Sequence, residues 1–299
     1  WLLDDGDAWT LVDTGASAAI TRDCWEKMFA ENVLGRPVRR LLITHFHPDH
    51  LGLAPWLAER FGCEVLMSSV TFSQAHDLMF PKQEPEAEEI LQFCRAHEVA
   101  QVSEFGIFHT GGLYRQVVEG LPHSWTELGP KGELKIGAYT WNLSMLGGHA
   151  EGHLILHCPE LNVLISGDQV LPTITSNVSK FLDSGPAADP LGNYLASFKS
   201  LQALPEDVLV LPSHGRVFRG LHARIDQLRR HHADTLDQVE SLCRDPRTAG
   251  SLVPDLFPKA GSGLHYMLGF GETLAHLVHL REMGRLLVRI EERKVLYQG

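Results

Sequence analysis

The chain has few cysteines and no pattern among them. Cys24, Cys63, Cys94, Cys158 and Cys243 are odd in number, widely spaced and never in a Cys-x-x-Cys pair. That argues against a disulfide framework or a thiolate zinc knuckle, and it reads as reduced, mostly buried thiols in a cytoplasmic protein. Long hydrophobic runs are missing too. Nothing approaches the roughly 20 apolar residues that cross a bilayer, so no membrane partner is expected. No secretory leader is visible in a sequence that opens at Trp1 rather than Met. Positive charge is in deficit: 26 Lys and Arg face 37 Asp and Glu, for a net charge of −11. An acidic surface disfavours polyanions in general and leaves only a local basic patch to hold one.

What is present is histidine, 17 in 299 residues, and it is concentrated. Thr44-His45-Phe46-His47-Pro48-Asp49-His50 follows the apolar run Arg40-Leu41-Leu42-Ile43 and precedes an expected helix over 50–61. In extended chain, side chains at i and i+2 point the same way, so His45 and His47 can grip one ion. Once the chain turns into a helix, Asp49 and His50 point elsewhere and can grip a second. Chance clustering of surface histidines is the bland alternative, and partners of the right chemistry downstream argue against it.

In chain order, 9–13 reads as a strand ending in Asp13, 17–32 as a helix and 64–67 as another strand. Asp13 is either a plain turn residue or a support beneath the metal loop. Residues 70–125 form an insertion with Pro81, Pro85 and the cluster Glu84, Glu86, Glu88, Glu89 opening a helix through His97. Its aromatic-rich end, including Tyr114, suggests a lid or pocket wall. From 126 the period changes to two, with strands at 134–137, 139–146, 154–158 and 162–166. A helix at 191–203 and a strand at 208–211 follow. Gly148-His149, Gly167-Asp168 and Ser213-His214 each sit just past an apolar strand. Strand ends on one sheet edge converge, so these loops and the heptad belong to one site. His153, four residues after His149, is a candidate to touch substrate or to support the site from behind.

On these residues the chain resembles the metallo-β-lactamase-fold superfamily, over roughly residues 1–220. The resemblance implies an α/β fold, a four-layer αβ/βα sandwich. It implies one metal site from His45, His47 and His149, a second from Asp49, His50 and His214, and Asp168 as the bridge. It also implies two divalent ions, zinc foremost, with iron or manganese compatible with the imidazole and carboxylate donors. Asp49, Asp168 and His153 are then the candidate catalytic side chains, with Asp13 in support. The Asp bridge is similar to that of hydroxyacylglutathione hydrolases and the superfamily's nucleases. It sets the chain apart from the fold's true β-lactamases, and the full second ligand set sets it apart from the mononuclear sulfur dioxygenases.

Past His214, apolar residues at helical spacing predict one long helix over about 220–244. The basic run Arg216, Arg219, Arg224, Arg229, Arg230 is either a solvated face or a site for an anion, with Arg216, Arg219 and Tyr114 as substrate-binding candidates. Residues 264–299 read as helix, short turn, helix and two strands, a winged-helix-like unit better suited to packing or a homodimer interface than to nucleic acid. The expected division is 1–219 and 220–299. This end resembles the branch containing lactamase-beta-like protein two, which includes endoribonucleases. Three functions follow as expectations. The first is a dinuclear hydrolase of a small, anionic ester, thioester or lactone. The second is a metal-dependent endoribonuclease on single-stranded RNA. The third is a metal-holding or nucleic-acid-binding module without catalysis, which a complete ligand set disfavours.

Overall fold

The computed structural model describes residues 1–81, 87–185 and 187–299. Glu84, Pro85 and Glu86, expected to open the insertion's helix, lie outside these. Two five-stranded sheets form the centre. The first runs β1 (Leu2–Asp5), β2 (Ala8–Val12), β3 (Val38–Leu42), β4 (Glu64–Met67), β5 (Thr126–Glu127), parallel except for β1. The second runs β10 (Leu209–Pro212), β9 (Val163–Gly167), β8 (His153–Cys158), β7 (Tyr139–Leu146), β6 (Lys131–Ile136).

Alternation of side chains along each strand builds the layers. Val12, Leu42 and Leu66 from the first sheet meet Leu154, Leu156 and Ile165 from the second in a shared core. On the outer face of the first sheet, Leu11, Leu41, Ile43, Val65 and Met67 pack under helices. Those are α1 (Ala19–Ala30), the two-part α2 (Pro48–Leu51) and α3 (Ala54–Phe61), α4 (Ser69–Met79) and α7 (Tyr114–Val117). On the outer face of the second, Ile155, Leu164 and Val210 pack under α8 (Pro190–Gln202), α9 (Leu221–Leu242), α10 (Ala249–Leu256) and α11 (Leu264–Glu282). The order helix, sheet, sheet, helix is the four-layer sandwich expected from the sequence.

Two expectations change. The insertion's helices α5 (Ala87–His97) and α6 (Val102–His109) are not a free lid. Phe105 is fully buried and meets Phe93 and Phe270 of α11 with ring centroids 5.2 and 5.8 Å away, so these helices belong to the core of the second layer. Residues 264–282 are one continuous helix rather than helix, turn, helix. Gly269 and Gly271 sit in mid-helix, where a Cβ would press on Phe257 and on Phe181 and Ser179. The helix leads to a hairpin of β11 (Leu287–Glu291) and β12 (Lys294–Gln298). One hydrophobic cluster packs Tyr194 and Phe198 with Leu221, Ile225, Leu228, Leu236 and Tyr297, so residues on both sides of position 219 share a core.

Candidate metal centre

β7 runs antiparallel to β8, and β8 antiparallel to β9, so β7, β9 and β10 all end on the same edge. β2 and β3 are parallel and end together in the other sheet. Asp13, the 45–50 loop, His149, Asp168 and His214 follow those five strand ends and meet between the sheets. Two donor groups result: His45, His47 and His149, and Asp49, His50, Asp168 and His214. Within each group the ligand atoms lie within 4.8 Å of one another.

The hydrogen bonds behind the ligands decide which ring atoms face inward. Asp13 accepts from the Thr44 N–H (2.8 Å), the Thr44 hydroxyl (2.9 Å) and His50 Nδ1 (2.8 Å). Having donated to Asp13, the Thr44 hydroxyl accepts from His45 Nδ1 at 3.0 Å. His149 Nδ1 donates to the Asn177 carbonyl at 2.8 Å. Each of these rings carries its proton on Nδ1 and turns a lone pair on Nε2 to the centre. His45 Nε2 then lies 3.2 Å from His149 Nε2 and 3.0 Å from His47 Nδ1. His45 Nε2 and His149 Nε2 thus turn lone pairs toward each other, an arrangement that a cation between them would satisfy.

The second group makes the same demand. His50 Nε2 and Asp168 Oδ1 are buried without a hydrogen-bond partner. Asp168 Oδ2 is 3.6 Å from His149 Nε2, 3.5 Å from His50 Nε2 and 3.4 Å from His214 Nε2, and so touches both groups. His214 Nε2 is 3.1 Å from Asp49 Oδ2. Burial opposes charge on Asp49 and Asp168, but the adjacent His214 and His50 outweigh it and hold both carboxyls far below the usual range. Hydrogen bonds to Asp168 and Asp49 push His214 up to about 10. Burial, joined by neighbouring imidazoles, lowers His45 and His47. The carboxylates thus draw positive charge onto His50 and His214, where a divalent metal would take the protons' place, while His45 and His47 stay neutral.

Not every candidate joins it. His153 is fully buried and its Nε2 accepts the Asp168 N–H at 3.1 Å. Burial lowers it to about 3, so it stays neutral. It cannot reach substrate; it holds the backbone of Asp168 from behind. Gly167 is required there: its φ is +53°, and a Cβ would come within 2.4 Å of the His153 ring. Tyr114 is buried and its hydroxyl donates to the Phe46 carbonyl at 2.7 Å, which supports the metal loop and removes it as a substrate donor. Arg219 donates to the Asp207 carbonyl. The chain after His214 folds back along β10, pairing Phe218 with Val210, so Arg219 ends near the far end of that strand. Arg224 binds the Leu171 and Ile174 carbonyls, both at 2.7 Å, and Arg229 lies over Phe198. The basic run is therefore dispersed, and only Arg216 and Arg230 stay exposed without a partner among the described residues. Thr44 and Asn177 went unread in the sequence. Thr44 stood inside the motif; Asn177 lies in an irregular loop with no pattern to mark it.

Residues 1–214 match the family model described as metallo-beta-lactamase superfamily. The chain belongs to that superfamily. Residues 236–297 match a second model, the metallo-beta-lactamase-like C-terminal domain. A curated relative, probable metallo-hydrolase YqjP of Bacillus subtilis (strain 168), is 26% identical over 285 residues, covering 91% of this chain and 84% of its own. A beta-lactamase domain protein from Burkholderia ambifaria superposes with a TM-score of 0.86 at 35% identity, covering 100% of this chain and 87% of that one. A metallo-beta-lactamase family protein from Thermus thermophilus, TTHA1429, gives 0.82 at 27%, covering 99% and 92%. The superfamily, the sandwich and a metallo-hydrolase character agree with the sequence reading.

Proposed function

We propose that this metallo-hydrolase works with two divalent ions, zinc foremost, on a small anionic ester, thioester or lactone in a reducing, cytoplasmic setting. The observation that carries this is Asp168, whose Oδ2 lies within 3.6 Å of ligand nitrogens in both donor groups. Ions held there would supply Lewis acidity toward the scissile carbonyl and a water acidic enough to ionise near neutral pH. The chain's own residues do the rest. His45, His47 and His149 hold one side, fixed by Thr44 and Asn177. Asp49, His50 and His214 hold the other, fixed by Asp13. Asp49 and His214 are about half exposed, at 47% and 45%, so substrate enters on their side. Arg216, two residues past His214 and exposed, is the cation left to meet a substrate anion.

The likeness of the C-terminal end to the lactamase-beta-like protein two branch keeps single-stranded RNA as the alternative substrate. Dispersal of the arginines and a net charge of −11 favour the small molecule. The deciding experiment offers metal-loaded protein an acyl-thioester panel and a labelled single-stranded RNA, with His47→Ala as control. Thioester turnover that His47→Ala abolishes is the expected result. Background turnover across the panel, with RNA cleavage lost in His47→Ala, would replace this reading by the nuclease.

A further inference from the structure

His149 presents Nε2 to the centre because the Asn177 carbonyl holds its Nδ1. Asn177 lies in an irregular stretch with no strand ladder to steady it. Helix α11 steadies it instead. The Asn177 side-chain amide donates to Glu272 Oε2 at 3.3 Å and reaches the Leu268 carbonyl at 3.5 Å. Its Oδ1 accepts from the Ser179 hydroxyl at 2.6 Å. The Lys180 N–H donates to the Gly271 carbonyl at 3.0 Å. A Cβ on Gly271 would meet the Phe181 ring at 2.6 Å and Ser179 Cβ at 2.7 Å, so the loop lies directly on the helix.

Glu272 is the unexpected residue in this contact. It is 8% exposed, in a helix stretch that is otherwise apolar or small. No salt bridge reaches it among the described residues, and its carboxyl meets only the Asn177 amide. Burying a carboxyl there is costly, and packing alone would be served by leucine.

We propose that Glu272 is a positioning residue for the metal centre. From the C-terminal helix it clamps Asn177, and so it fixes the carbonyl that sets the tautomer and tilt of His149. This rests on the two-ion reading above. It also separates the two donor groups. Through His149 the first group depends on α11, whereas Asp13 orients His50 directly and His45 through Thr44, with no link to α11.

The test titrates the full chain with Zn2+ against a chromophoric chelator. His214→Ala leaves the three-histidine group whole, and His47→Ala leaves the other. In the His214→Ala background, Glu272→Leu is expected to weaken Zn2+ binding by roughly tenfold, the range for a lost orienting partner. In the His47→Ala background it should change nothing. Glu272→Gln, which keeps an acceptor for the Asn177 amide, should restore affinity. Asn177→Ala leaves α11 untouched and should reproduce the loss, and it decides the matter if Glu272→Leu does not fold. Unchanged affinity in the His214→Ala chain, an equal loss in both backgrounds, or no rescue by Glu272→Gln would overturn the proposal. Failure of the two-ion reading would show separately, as fewer than two Zn2+ bound by the unmutated chain.

Discussion

At the residue scale, one partly buried carboxylate organises half the centre. Asp13 accepts three hydrogen bonds and adopts φ of +61°, a conformation that asparagine and aspartate tolerate better than most residues. Asp13→Ala should loosen both Thr44 and His50. Hydrolysis is expected to fall by roughly ten- to a hundredfold, with metal content below two ions per chain by elemental analysis. Arg216 makes a milder prediction. Arg216→Ala should raise KM for anionic substrates several-fold while kcat stays near its starting value, because the side chain meets substrate away from the reacting atoms. An unchanged KM would remove it from the site. Every member of the two donor groups could be read from sequence, because each stands in a short motif after an apolar strand. Tyr114, Arg219 and His153 could not be placed in the same way. A phenol, a guanidinium and an imidazole look alike in sequence whether they face substrate or a neighbouring backbone group.

At the element scale, the long helix is the test piece. α9 buries Leu221, Ile225, Leu228, Leu236 and Val239 against α8 and α11. A chain ending at residue 219 would expose the outer faces of Tyr194, Phe198 and Leu201, which are fully buried now. Such a chain is expected to be insoluble or unfolded by circular dichroism; a folded, metal-binding 1–219 fragment would show that the catalytic sandwich stands alone. In α11, Phe270 contacts Phe93 and Phe105 of the insertion. Phe270→Ala should cost about 3–5 kcal/mol in urea unfolding, as large-to-small changes in a tight core do. The periodicity of α9 was legible because one face is apolar and the other charged. α11 was not, because it is buried nearly all round, and a buried helix has no polar stripe to set its phase.

For the whole molecule, stability should follow pH through buried groups that differ between folded and unfolded chain. Burial lowers His276 and His232 to about 4 and about 3 from an ordinary 6.5. Their contribution is full above about 6.5 and is lost as pH falls toward 4, because the unfolded chain takes up protons that the folded chain refuses. Glu272 acts the other way. Burial pushes it up to about 7 from 4.5, so its contribution is full below about 4.5 and declines as pH rises through neutrality. The unfolding midpoint should therefore fall as pH is lowered from 6.5 to 4, with Glu272 offsetting part of the fall, and Glu272→Gln should make the fall between pH 6.5 and 4.5 steeper. An unchanged pH profile in that variant would remove Glu272 from the balance. Divalent metal should add to the stability of the intact protein, by roughly 4 kcal/mol at a thousandfold excess over Kd, and a chelator should lower Tm accordingly.

The sequence by itself determined the donor groups. Strand-ending motifs at His45 to His50, His149, Asp168 and His214 name the donors, since imidazole and carboxylate at those places have few other uses. It determined the layers as well, because alternation in strands and helical spacing outside them leave one way to bury both faces of two sheets. Only the tertiary structure decided what stands behind and around the donors. It chose support over a plain turn for Asp13, which orients His50, and it brought in Asn177, which orients His149. The insertion joins the core through Phe105 and Phe270, and a glutamate of the last long helix reaches the loop that holds His149. Contacts between residues distant in sequence follow from packing geometry, and no local pattern of residue types records them.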